Sequence, residues 1–380
     1  MSARRLLGWL HLWTGLILCL PLVMLGVTGS VLVFGDELAE WLDPQLYRAS
    51  PGEPRPIAAI IAAARAAAPA ELRPGFYIAP EKSGDAARVR FMPASRQAPG
   101  PGGSIVFMDA ATATPLGVRE NSAGLVRQIF LLHASLLSDR TGRDVVGWLG
   151  VVMLALGLSG IVLWWPRGGR WAAAFRVRRG AQGVRLHRDL HGAVGIWGLL
   201  VFLVVSFSGV YLAFPQQVGA GIGSVLPARD LRGTMNAIKA TPIKDAKPIG
   251  VDAAVQIARE ALPDTRLRSV ALPQRPDQPF RVALARLDDA HGVPPVLVFV
   301  DPWSSKVLEL RDPRGYSAGE TLMAWQHALH AGEGLGWIWR VLVFLSGLLP
   351  LLFSITGVSM WWLKRRARGV AVAAREAPAE

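Results

Sequence analysis

Four stretches of this 380-residue chain contain no Asp, Glu, Lys or Arg: residues 6–35, 145–166, 190–228 and 341–363. Their apolar cores, 12–34, 145–165, 193–214 and 341–363, each approach or exceed the roughly 20 residues a helix needs to cross about 30 Å of hydrocarbon. A soluble core helix seldom stays free of charge on every face for so long. Trp9, Trp13, Trp148, Trp164, Trp165, Trp361 and Trp362 gather at the ends of these stretches, as an aromatic belt does. Composition agrees, because only 18% of residues are charged, against about 25% in an ordinary soluble domain. The sequence predicts a lipid-embedded chain with four spans.

The net charge of +13 is not spread evenly. Residues 1–10 carry Arg4 and Arg5, the 166–188 connection has seven Arg and no acid, and the tail opens with Lys364, Arg365, Arg366 and Arg368. Segment 36–144 instead has 12 basic and 12 acidic residues, and segment 215–336 has 14 and 13. Short basic segments stay on the cytoplasmic side. The expected topology is multi-pass in a bacterial inner membrane, with both termini and the 166–188 loop cytoplasmic and the two long balanced segments periplasmic. Nucleic acid is not implied, since the surplus flanks spans. Residues 6–35 are long for a signal peptide and lack a convincing cleavage site before Asp36-Glu37, so they read as an anchor. The single cysteine, Cys19, excludes an intramolecular disulfide, a Cys-based zinc site, an all-thiolate iron–sulfur cluster and C-x-x-C-H haem attachment.

The chain repeats itself. A shift of 180 residues brings His11 onto His191, Gly15 onto Gly195, Gly29 onto Gly209 and Phe34 onto Phe214, with Thr28 opposite Ser208. A shift of 197 brings His133 onto His330, Gly160 onto Gly357 and Trp164-Trp165 onto Trp361-Trp362, with Arg167 opposite Lys364. The architecture is a duplicated unit of span, outside domain, span, and it is a parallel repeat because both copies enter from the cytoplasm. The outside segments repeat less clearly. Residues 56–68 and 251–261 read as short amphipathic helices. Strand-like runs follow, ending in Asp109 and Asp301 before turns. Residues 93–103 read as a Pro/Gly-rich loop and 215–247 as a linker with local structure.

The predicted organisation is a first membrane helix in 1–35, a small α+β domain in 36–126, an interfacial His-bearing segment in 127–144 and a second span in 145–166. An Arg-rich loop in 167–188 leads to the third span in 189–214. A second α+β domain with its linker occupies 215–320, a second His-bearing segment 321–340, the fourth span 341–363 and the cytoplasmic tail 364–380.

The opening W-L-H-L-W-T-G (residues 9–15), the D-L-H-G-A-V-G of the third span (189–195) and the D-P-x-x-x-x-V-L that begins at Asp301 resemble the PepSY-associated transmembrane proteins, and the resemblance covers nearly the whole chain. Within that family the chain is similar to inner-membrane siderophore reductases of the FoxB type. The resemblance implies PepSY-like outside domains, b-type haems and a role in iron uptake. The first outside copy departs from the pattern, reading D-A-A-T-A-T-P from Asp109.

Six of the seven histidines lie in or beside the spans: His11, His133, His187, His191, His327 and His330; His291 belongs to an outside domain. Ionisable groups at a span are costly and are functional candidates by default, while anchoring at the headgroups is the bland alternative. The repeat-matched placement of His11 with His191 and of His133 with His330 favours function. A b-type haem takes an axial nitrogen from each face, so it needs histidines on different helices at one depth. His11 with His191, and His133 with His330, are therefore expected to be axial ligands of two haems, one near each membrane surface, with the haem iron as the metal. Gly15 and Gly195, at i+4 from the first pair, would let a flat porphyrin approach, although such glycines also serve plain helix contact. His133 and His330 precede their spans by 12 and 11 residues, with bends expected at Gly142 and Gly147, or at Gly332, Gly334 and Gly336. His187 and His327 sit one turn from His191 and His330. Each is an alternative ligand, a propionate partner or a surface residue, and His327 with His330 could also hold a small metal ion, Glu333 being the nearest carboxylate.

No G-x-G-x-x-G follows a strand, and the Walker, G-x-S-x-G and H-E-x-x-H motifs are missing; the Gly100–Gly103 loop has no Lys-Ser/Thr ending. Nicotinamide and flavin sites are not evident, so electrons would come from a quinol or another membrane donor. Two function classes remain. One is a haem-dependent reductase passing electrons outward to a ferric siderophore, with no catalytic residues beyond the haem ligands. The other is a non-catalytic scaffold whose outside domains bind a peptide, protease or transport partner. A secondary transporter ranks below both, because no carboxylate or Lys interrupts a span.

Overall fold

The computed structural model describes residues 2–93, 102–166, 168–169 and 171–376. Most of the 93–103 loop and Arg167 therefore lie outside the described residues. In chain order the elements are α1 (Ala3–Ile17), α2 (Cys19–Leu32), α3 (Gly35–Leu42), α4 (Pro44–Tyr47), α5 (Ile57–Ala67), β1 (Leu72–Ile78), β2 (Ala87–Pro93), β3 (Ser104–Asp109) and β4 (Thr114–Glu120). There follow α6 (Leu125–Ser135), α7 (Asp139–Trp164), α8 (Trp171–Ala174), α9 (Gly183–Ala213), α10 (Pro215–Val225), α11 (Leu231–Ala237) and α12 (Val251–Ala261). The chain closes with β5 (Thr265–Ala271), β6 (Phe280–Arg286), β7 (Val296–Val300), β8 (Val307–Arg311), α13 (Ala318–Ala331) and α14 (Gly336–Glu376). These elements form two compact units, one of Met1–Phe34, Ile129–Val218 and Leu329–Glu380, the other of Gly35–Gln128 and Gly219–Ala328.

The first unit is helical. Three helices, Asp139–Trp164, Gly183–Ala213 and Gly336–Gly369, are individually long and apolar enough to span a bilayer. The first span departs from the sequence expectation of one continuous helix, because α1 and α2 meet at a 67° bend. Pro21 favours it, having no N–H to return to the carbonyl of Ile17 and a ring that crowds that carbonyl. Leu18, at φ −98°, carries the break.

Small residues let these helices touch backbone to backbone. A methyl group built on Gly26 would lie 2.3 Å from the Gly347 carbonyl oxygen, so α2 and α14 cross there with no room for a side chain. The +197 counterpart of Gly347 is Gly150, where a methyl group would meet Val210 of α9 at 2.9 Å. The first helix of each copy thus packs on the second helix of the other.

The turns before the second and fourth spans differ. Between α13 and α14 the bend runs through Gly332, Gly334 and Gly336, all at φ +79°, a conformation glycine adopts without steric cost. Between α6 and α7 the same bend is made by Leu136, Leu137 and Asp139 at φ +50°, +57° and +34°. Gly142 and Gly147 are not the hinges expected from the sequence. Both lie inside α7, where added methyl groups would lie 1.7 Å from the Ser135 carbonyl oxygen and 2.4 Å from Phe214. They allow close approach.

The second unit is α+β. Each copy gives four antiparallel strands covered by one helix, α5 or α12, with shorter helices beside them, and the sequence reading of two domains becomes a single sheet of order β4-β3-β2-β1-β5-β6-β7-β8. The seam is β1 against β5, with Phe76 opposite Ala271 and Ile78 opposite Ser269. Alternation builds the core: Ala87, Val89 and Phe91 of β2 are wholly buried, and so are Val282 and Leu284 of β6. Ile60 and Ala64 of α5 cover the first half of the sheet, and Ala254 and Ala258 of α12 the second. Ile57 and Ile61 pack against both halves. Asp252 of α12 accepts hydrogen bonds from the N–H groups of Ile57 (2.7 Å) and Ala58 (3.0 Å), satisfying the free amides at the start of α5.

Candidate functional site

Within the helical unit four histidines meet as two pairs. His11 of α1 faces His191 of α9, with ring centres 6.3 Å apart and planes at 67°. His133 of α6 faces His330 of α13, with ring centres 6.0 Å apart and planes at 45°. Each pair takes one ring from each copy of the repeat.

The hydrogen bonds bear on where each ring carries its proton. His11 Nδ1 is 2.8 Å from Ser159 Oγ, and Ser159 spends its own proton on the Leu156 carbonyl. His191 Nδ1 is 2.8 Å from Thr356 Oγ1, which donates to the Leu352 carbonyl. With those hydroxyl protons directed to the carbonyls, Nδ1 is the donor in both rings. At the other pair His133 Nδ1 donates to Thr28 Oγ1 and to the Leu25 carbonyl, both at 3.1 Å. His330 Nδ1 donates to Ser208 Oγ and to the Val205 carbonyl, both at 3.0 Å. A carbonyl oxygen offers no proton, which fixes this tautomer independently. With Nδ1 protonated, Nε2 is the unprotonated nitrogen of each neutral ring. This is the arrangement of a metal-ligating histidine, whose second nitrogen donates to an outer partner.

The spacing agrees with that chemistry. An imidazole nitrogen binds a metal at about 2.0 Å, so two rings ligating one metal from opposite sides have centres roughly 6–6.5 Å apart. Among the described residues no cluster of three or more His, Cys, Asp or Glu could hold a metal ion. A bare zinc ion, which takes three or four protein ligands, is not served by two nitrogens. A metal whose remaining positions are filled by a planar macrocycle is.

The family model of the PepSY-associated TM region matches residues 8–364. The chain belongs to that family. Membership makes it a multi-pass membrane protein and spans every residue of both pairs. Among curated proteins it is similar to Uncharacterized protein PA4219 of Pseudomonas aeruginosa, 43% identical over 79 residues. That match covers 20% of this chain and 19% of the relative, so the chain spans about a fifth of the length of the curated protein it matches.

The other residues singled out in the sequence fall outside the pairs. His187 lies one turn before His191 on α9, and its buried Nδ1 has no hydrogen-bond partner among the described residues. His327 is exposed on α13, and among the described residues no third ligand joins it and His330 in a small metal site. His291 Nδ1 is 3.1 Å from Glu81 in the sheet unit. Space beside Gly15 is open, whereas a methyl group on Gly195 would meet Phe353 at 3.5 Å, an ordinary contact.

Two kinds of residue escaped the sequence reading. One is the set of hydroxyls. Thr28 and Ser208 align at +180, but the alignment alone says nothing of a hydrogen bond; Ser159 and Thr356 align at +197 and were not singled out. The other is the role of Gly29 and Gly209, which the +180 shift aligns without explaining. A methyl group on either would lie 3.0 Å from Cε1 of His133 or His330, so these glycines let the rings lie against the helix backbone.

Proposed function

We propose that this protein is a haem b-containing reductase of the bacterial inner membrane, which passes electrons across the bilayer to a periplasmic ferric siderophore and releases Fe(II) for iron uptake. The observation that carries the reading is the pair of facing histidines, twice built, with every Nδ1 directed to an acceptor, which makes Nε2 the unprotonated nitrogen of each ring. His11 and His191 would hold one haem, and His133 and His330 the other. A haem held by two histidines supplies a one-electron carrier. The chain's own part would be to fix the four rings, supply two imidazole nitrogens to each group, and exclude water with surrounding apolar helices.

The distribution of charge supports a cytoplasmic place for the termini and the 166–188 loop. The donor is then a quinol or another membrane electron carrier, because no nucleotide-binding motif occurs in the chain. Reduction favours release because oxygen-rich chelators hold the hard, highly charged Fe(III) far better than Fe(II). A scaffold that only binds a peptide, protease or transport partner gives the histidine pairs no task.

The test is optical and kinetic. Full-length protein purified after expression with ample haem supply is expected to show two acid-extractable b-type haems per chain. After reduction with dithionite it should be reoxidised by a ferric siderophore, with Fe(II) appearing in a ferrozine trap. A colourless protein overturns the reading, and a haem-loaded protein that no ferric chelate reoxidises confines it to electron transfer toward some other acceptor.

A further inference from the structure

The two pairs satisfy Nδ1 in different ways, and this difference has a consequence for the side chains around them. Among the described residues His11 and His191 each have one hydrogen-bond acceptor, a side-chain hydroxyl at 2.8 Å. His133 and His330 each have two, a hydroxyl and a main-chain carbonyl, at 3.0 to 3.1 Å. A carbonyl cannot be removed by mutation and cannot change its role from acceptor to donor. A hydroxyl can be removed.

We propose that Ser159 and Thr356 are positioning residues without a substitute, which alone hold His11 and His191 in the metal-binding tautomer, whereas the Leu25 and Val205 carbonyls hold His133 and His330 whether or not Thr28 and Ser208 are present. The proposal rests on the reading that both pairs bind haem. Without its hydroxyl, a ring of the first pair has a part-buried N–H and no acceptor. Its proton can then move to Nε2, which takes away the lone pair that binds iron. At the second pair the carbonyl still accepts, so the proton stays on Nδ1 and the ring keeps its orientation. The hydrogen bond also makes the ring a better electron donor, which favours the ferric state. Its loss therefore raises the potential of that one-electron couple, in which no bond or proton changes hands.

The experiment compares two double variants of the full-length protein, Ser159→Ala with Thr356→Val and Thr28→Val with Ser208→Ala. Haem affinity is read by titration, and midpoint potential by spectroelectrochemistry. The centre belonging to each pair is assigned beforehand from the component lost in His191→Ala and in His330→Ala. The first double variant should lose 10- to 100-fold in haem affinity at its own centre, the usual cost of deleting an outer partner. Any haem retained there should titrate at a potential higher by about 59 mV, a tenfold change for one electron. The second double variant should change its centre less than threefold. Ser159→Thr with Thr356→Ser keeps both hydroxyls and should behave as the parent. The untouched centre reports folding in every sample. Equal losses in the two double variants, or none in either, overturn the proposal while leaving the haem reading intact. A parent protein that binds no haem overturns the reading beneath it.

Discussion

The His11–His191 and His133–His330 pairs reach nearly the same ring separation, 6.3 and 6.0 Å, by different means. The first hangs its rings from helices that run through the span and steadies each with one hydroxyl. The second presents its rings on short helices, α6 and α13, and presses them onto a neighbouring helix at Gly29 and Gly209. There each nitrogen meets a carbonyl as well as a hydroxyl. The corresponding glycine beside His11 is Gly160, where an added methyl group would lie a comfortable 3.8 Å from the ring. One pair depends on side-chain chemistry and the other on backbone proximity. Equal spacing therefore conceals opposite vulnerabilities.

The largest effects should come from the rings themselves. His191→Ala should abolish one b-type spectral component and leave the other, while His330→Ala should do the reverse; difference spectra of the two variants check this. Loss of both components in either variant would mean that the pairs do not act as separate sites. A smaller effect is expected where backbone proximity matters. Gly29→Ala and Gly209→Ala should each push a ring off its acceptors and lower haem affinity at that centre about tenfold, the lower end of the range for disturbed ligand support. Gly160→Ala should leave both centres unchanged.

The smallest effect concerns how α13 is held at its start, within the sheet unit. Arg229 donates to Glu320 at 2.5 Å and the Ser317 N–H donates at 3.0 Å, and these bonds hold the Glu320 carboxyl down at about 2. The matching position before α6 is Ala123, so only one copy carries this anchor. A carboxyl depressed in the folded state stabilises above its ordinary value of 4.5, and that contribution fades as pH falls toward about 2. Hydrogen exchange at residues 317–320 should accelerate across that window in the parent, and Glu320→Gln should be fast and flat across it.

Much of this was legible in the sequence because its signals were long or repeated. Charge-free runs of more than 20 residues announce spans whatever their partners, and two constant offsets align His11 with His191 and His133 with His330. What stayed hidden depends on contacts between distant segments. The bend at Leu18 could have been suspected from Pro21, yet Pro350 sits inside α14, which continues through it, so proline alone does not decide. Joining β1 to β5 fuses two domains that the sequence presents as separate, and nothing in either strand names its neighbour. The hydroxyls at Ser159 and Thr356 look like ordinary small residues of a span until the rings arrive beside them.

Each ring finds its acceptor within its own copy and its partner ring in the other. A chain carrying one copy would therefore hold four correctly oriented half-sites' worth of chemistry only after meeting its twin: two unpaired rings per chain become two complete pairs per symmetric dimer. The sheet reads the same way outward from its central seam. Within one chain, the two copies reproduce the pairing pattern of such a dimer. Once fused, the two copies are free to diverge, and Pro21, the three turn glycines and Glu320 each now belong to one copy alone.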